Sequence, residues 1–155
     1  MAIPFTFNIA KGRVAEFYNR VENNDPANSA LILIPCSAGD TEANAQDADT
    51  VTAALATAIN EQTGGGWVRK TLTNTELAAF PAPNDTDNRY DIAVPEVTWT
   101  TPAAASDTTH LLIAYDPDTT AGTDADLVPI SFHAFAVTAD GNDVVLNAGT
   151  FMQSS

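Results

Sequence analysis

The residues able to do chemistry in this chain are few, and their spacing narrows what each could do. His110 and His133 are the two histidines. Their separation fits no HExxH-type pairing, so they make a poor zinc signal. His133 lies in Ser131-Phe132-His133-Ala134-Phe135, inside an expected strand. A general base could sit there, but a histidine satisfied by structural hydrogen bonds is the reading the strand context favours. His110 opens an apolar run and reads as a boundary residue. The single cysteine, Cys36, rules out an internal disulfide and a cysteine-built metal site. It follows Leu31-Ile32-Leu33-Ile34-Pro35 and reads as a small apolar residue at a strand end.

Ser37 also follows that run, where a nucleophile elbow would stand. The elbow needs Gly-x-Ser-x-Gly so that its strained turn carries no side chains. Here Pro35 fills the first glycine position and Cys36 precedes the serine. No catalytic residue is therefore expected, and a hydrolase built on Ser37 or His133 has only residue types in its favour. Gly64-Gly65-Gly66-Trp67 lacks the lysine and hydroxyl residue of a phosphate-binding loop, and a strand is expected to follow it rather than a helix.

Asp116-Pro117-Asp118 and Asp124-Ala125-Asp126 bracket Gly122. Several carboxylates around a glycine is the composition of a calcium loop. The EF-hand spacing fails at its fifth and twelfth positions, so solvated turns are expected here and at Asn84-Asp85-Thr86-Asp87. No metal and no cofactor is expected.

The elements that must position these residues follow from periodicity. With 155 residues, one domain is expected, spanning 1–155. Phe5, Phe7 and Ile9 alternate with polar residues, as a strand does. Val14, Phe17, Tyr18 and Val21 form one helical stripe and predict a helix over 11–22, stopped by Asp25-Pro26. Residues 30–35 are apolar throughout and predict a strand buried on both faces. Val51, Leu55, Ala58 and Ile59 predict a second helix over 49–60. A strand is expected over 67–71, and Thr73-x-x-Glu76 is a capping-box pattern for a short helix closed by Pro81 and Pro83. Beyond it, strands are expected at 90–94, 97–100, 111–115, 128–137 and 144–146, with Pro95 as an edge or bend and Asp140-Gly141 as a hairpin turn. The fold class is α+β: a β-rich domain of about seven or eight strands, with two or three helices mainly in the N-terminal half.

Charge excludes some partners. Lys and Arg number 6 and Asp and Glu 20, for a net −14. A phosphate-binding face needs clustered cations, so no nucleic acid is expected, and no anionic membrane surface. No apolar run approaches the ~20 residues of a membrane span. The first 13 residues lack the apolar core of a signal peptide, so none is expected. After Arg89 there is no Lys or Arg, while Lys11, Arg13 and Arg20 cluster on the first expected helix. Such an arm would suit an acidic neighbour; it would equally balance the chain's own acidic body.

Three blocks, taken in order, resemble small structural proteins of tailed bacteriophages of actinobacterial hosts. The first is Phe7-Asn8-Ile9-Ala10-Lys11-Gly12-Arg13-Val14-Ala15-Glu16-Phe17-Tyr18 with Asn24-Asp25-Pro26-Ala27-Asn28-Ser29-Ala30-Leu31. The others are Asp87-x-Arg89-Tyr90-Asp91 leading to Trp99-Thr100, and Tyr115-Asp116-x-Asp118-Thr119-Thr120-Ala121-Gly122-Thr123-Asp124. The resemblance implies a non-enzymatic virion component, foremost a capsid decoration or minor capsid protein on the capsid exterior. Its partners would be the major capsid protein and copies of itself in a homo-oligomer. Residues 1–22 would supply the assembly contacts through Phe5, Phe7, Ile9, Lys11, Arg13, Phe17 and Arg20. The alternative is a minor tail or receptor-binding component, in which Trp67 or Trp99, if exposed, would stack on host-surface sugars, although both are expected in the core.

Overall fold

The apolar run Leu31-Ile32-Leu33-Ile34 lies at the centre of the computed structural model, which describes residues 4–154. In chain order the strands are β1 (Phe5–Thr6), β2 (Ala30–Ala38), β3 (Asn60–Glu61), β4 (Lys70–Leu72), β5 (Tyr90–Val94), β6 (Val97–Trp99), β7 (Thr108–Asp116), β8 (Val128–Val137), β9 (Val144–Leu146) and β10 (Gly149–Ser154). The α-helices are α1 (Val14–Glu22), α2 (Glu42–Ala45) and α3 (Val51–Leu55). The result is a small β-rich α+β fold, with ten described strands where seven or eight are expected, because short pairings such as β1 and β3 add to the long strands.

The main sheet is antiparallel throughout, in the order β1-β8-β7-β2-β3, with β4 lying beside β2 as well. Along β2, Leu33 stands opposite Ile113 and Cys36 opposite His110. Antiparallel sheets often leave one face wet and show alternation. Here both faces are covered, which is why the run has no polar residue. Leu31 and Leu33 enter one apolar cluster, Ile32 and Ile34 the other.

The first face is covered by α1 and a β-ribbon. β5 pairs with β10 and β6 with β9, and the registers Val94↔Gly149 and Val97↔Leu146 continue one another. The ribbon is therefore a single antiparallel pair, interrupted where Pro95 has no N–H to give its ladder. Ile92, Val94, Val97 and Trp99 pack beneath it. α1 turns Val14, Phe17, Tyr18 and Val21 inward, and Phe17 stacks on Tyr115 with ring centroids 4.8 Å apart. The second face is covered by Phe5, Phe7, α2, α3 and Ile59, which meet Leu112 and Phe132.

Several expected elements are shorter or differently paired. The N-terminal strand ends at Thr6, and Asn8–Ala10 form a 3-10 turn instead. α1 begins at Val14 because Gly12 takes φ +77°, outside any helix. The helix expected over 49–60 is only α3. Thr57 Oγ1 donates to the Ala54 carbonyl at 2.7 Å and accepts from the Ile59 N–H, so a side chain competes for the backbone that a longer helix would need. The capping box forms, with Glu76 Oε2 accepting the Thr73 N–H at 2.8 Å, but it closes one turn and no helix. The strand expected over 67–71 is Lys70–Leu72. Asp140-Gly141 lies at a bend and not a hairpin turn: β8 and β9 on either side of it lie in different sheets. Strand period alone does not name a strand's partner.

Candidate functional site

A hollow lies along an open seam of the sandwich, where the edge of the main sheet meets β10. It measures about 340 Å³ and is bordered by Pro4, Phe5 and Thr6, by Ser131 and His133 of β8, and by residues 150–153 of β10. A second hollow of about 220 Å³ adjoins it, sharing His133, Thr150 and Phe151. Two β-bulges shape this stretch of β8, one between its pairings to Ala114 and Ile113, the other between those to His110 and Thr108. Bulges re-aim side chains at a sheet rim.

His133 Nε2 and Ser131 Oγ share a hydrogen bond of 2.9 Å in this seam. That is the contact distance of a serine and its base. The electrostatics oppose that role. Burial pushes the His133 imidazole down to about 4, and no carboxylate contributes to its titration. A base this weak is neutral at pH 7 but far from the basicity that general-base chemistry favours there. Ser131 is 1% exposed. The pair satisfies two polar side chains inside an apolar seam, with Phe151 edge-on to the imidazole at 6.3 Å.

The other candidate residues are dispersed. Leu111 is opposite His133 whereas Ala134 is opposite His110, so the two histidines project from opposite faces of the sheet. The His110 ring stacks on Phe132 at 4.8 Å, and Gly39 lies so close that a Cβ there would stand 2.6 Å from the imidazole Cε1. Ser37 Oγ donates to the Asn60 carbonyl at the end of β2. Cys36 is buried, and burial pushes its thiol up to about 12.

The acidic loops use their carboxylates on their own backbone. Asp116 Oδ1 accepts the Asp118 N–H at 2.9 Å, Asp118 Oδ1 the Thr120 N–H at 3.0 Å, and Asp126 Oδ2 the Thr123 N–H at 2.7 Å. Asn84 Oδ1 does the same for Thr86 and Asp87. Burial, with Asp118 and Asp126 nearby, holds the Asp116 carboxyl above the usual carboxylate range. Among the described residues no three potential metal ligands converge.

The expected assembly residues divide into two groups. Phe5, Phe7 and Phe17 are buried by the chain's own core, so their side chains have no surface to offer another chain. Ile9 packs partly on the second-face cluster. Lys11 Nζ donates to Asn8 Oδ1 at 2.6 Å, while Arg13 and Arg20 both grip Glu16, at 3.0 and 2.9 Å. Residues 1–3 of that segment lie outside the described residues. Trp67 and Trp99 are both buried, as the core placement expects, so neither offers a ring for a sugar to stack on. Their indole N–H groups donate to the Ser106 and Val68 carbonyls.

Arg69 was not singled out by any motif. It binds Glu61 and Asp124 together, each through two hydrogen bonds. No spacing in the sequence brings those three residues together. The seam did leave a sequence signal: residues 127–139 and 144–155 carry no Asp, Glu, Lys or Arg, in a chain of net −14. No family model matches the chain, and comparison with curated proteins and with solved structures gives no match.

Proposed function

We propose that this chain is a non-enzymatic virion structural protein of a tailed bacteriophage, a capsid decoration protein held on the outer face of the shell. The observation that carries the reading is the layout of charge. All four arginines are paired with the chain's own carboxylates: Arg13 and Arg20 with Glu16, Arg69 with Glu61 and Asp124, and Arg89 with Asp87 and Asp91. The remaining acids carry no such partner among the described residues. The charge left over is therefore acidic, and it complements a basic protein surface while repelling packaged DNA.

This revises the assembly contact. Arg13 and Arg20 are already shared with Glu16 and are poorly placed to seek an acidic neighbour. The capsid contact is instead made by the chain's unpaired carboxylates on basic residues of the shell. The resemblance of the three sequence blocks supplies the virion context. In this fold those blocks build core and turns: Phe17 and Tyr115 stack, Arg89 pairs with Asp91, and Asp118 closes its loop. Binding only where shell subunits meet would favour the assembled capsid over its parts by mass action.

The test is add-back. Particles of the phage that encodes the chain are stripped of it and mixed with the purified protein. Rebinding to tail-less capsids, weakened as salt rises, is the expected result. Binding to isolated tails only would favour the tail reading, and absence of the chain from purified particles would overturn both.

A further inference from the structure

We propose that the outer edge of β8 is a self-association surface, on which β8 of a second copy of this chain pairs antiparallel about a two-fold axis. On one side β8 is held by β7. On the other, β1 pairs with Ser131 and Phe132, and beyond them no described strand lies alongside. This stretch contains Ala134 and Ala136, both exposed and both small enough to let a second backbone approach. Edge strands are normally protected by lysine, proline or inward-pointing charge. From Ser131 to Val137 β8 has none of these, and one bulge, between Ala134 and Val137, interrupts that stretch of the edge.

Charge selects the occupant. Two copies of net −14 repel wherever their acidic surfaces meet. Ser131, His133, Ala134, Phe135 and residues 149–153 border the seam and none of them is charged, so this is where a like-charged copy can approach. A basic partner would gain more from the acidic faces than from this rim. An antiparallel strand pair is also self-complementary about a two-fold axis, as a closed dimer interface must be. The inference does not depend on the virion reading, because it is tested on the isolated chain.

The sign of the salt response separates this from association of opposite charges. A neutral interface between two acidic bodies tightens as salt screens their repulsion, with the Debye length falling from ~30 Å at 0.01 M to ~8 Å at 0.15 M ionic strength. Sedimentation velocity of the full chain is expected to show a dimer whose dissociation constant falls as salt is raised across that range. The double variant Ala134→Lys, Ala136→Lys should weaken the dimer by about tenfold or more, since a two-fold axis at Phe135 sets position 134 of one copy opposite position 136 of the other, lysine against lysine. Val145→Lys, at an exposed position on the ribbon, should leave it intact. Hydrogen exchange on the unmodified chain provides a second readout: the Ala134 and Ala136 amides should slow as concentration rises. A monomer at both salts, an undiminished dimer in the double variant, or exchange at those amides independent of concentration would each overturn the proposal.

Discussion

Arg69 and Asp124 are joined by two hydrogen bonds, Nη1 to Oδ1 at 2.5 Å and Nη2 to Oδ2 at 2.8 Å. The same guanidinium holds Glu61 through Nε and Nη2 at 2.7 and 2.6 Å. Glu61 belongs to β3, which pairs with β2, and Asp124 to the loop before β8. One planar fork thus ties the β3 edge of the main sheet to a loop from its other half. Arg69→Met should lower unfolding stability by about 2 kcal/mol at neutral pH, because it leaves two half-buried carboxylates without their cation. The hydrogen bond from Arg69 holds Asp124 below the usual carboxylate range. A depressed folded value gives stability that is present above the unfolded value of ~3.9 and lost as pH falls through the folded one. Urea unfolding of both proteins should therefore converge in strong acid.

His133 works on a different window. Its imidazole titrates at about 4 in the folded chain because burial disfavours the cation, against ~6.5 when unfolded. Between those values the unfolded state binds more protons, so stability falls as pH drops from ~6.5 to ~4, by about 3 kcal/mol in all. His133→Gln keeps a partner for Ser131 and removes the titration. Its stability profile should be flatter across that window, as read by thermal melts at a series of pH values.

Cys36 should be inert in the folded protein. Its thiol is buried and is pushed up to about 12, so almost no thiolate exists at pH 8. A disulfide reagent is expected to label it only at the rate of unfolding, and at once in denaturant.

Leu33 and Ile34 point to opposite faces of the main sheet, and both faces are packed. Leu33→Ala and Ile34→Ala should each cost ~2–5 kcal/mol in denaturant unfolding. A one-sided sheet would show a large cost for one residue and a small cost for its neighbour.

Residues 30–35 were legible as a doubly buried strand because every position is apolar, and α1 because its stripe repeats at helical spacing. Helix length was not legible at Thr57, where a side chain takes over backbone hydrogen bonds that periodicity does not report. That Phe5, Phe7 and Phe17 are buried by the chain's own core is not legible for a related reason. Alternation marks an apolar face, but not whether the same chain or another covers it. The Arg69 fork and the Ser131–His133 pair depend on sheet order and on a bulge, and neither leaves a local pattern.

A cryo-electron microscopy reconstruction of intact virions tests whether the chain sits on a phage particle. Density matching this fold is expected on the outside of the capsid, with its acidic loops against basic residues of the shell protein. Density for the fold confined to the tail, or none on the particle, would contradict it.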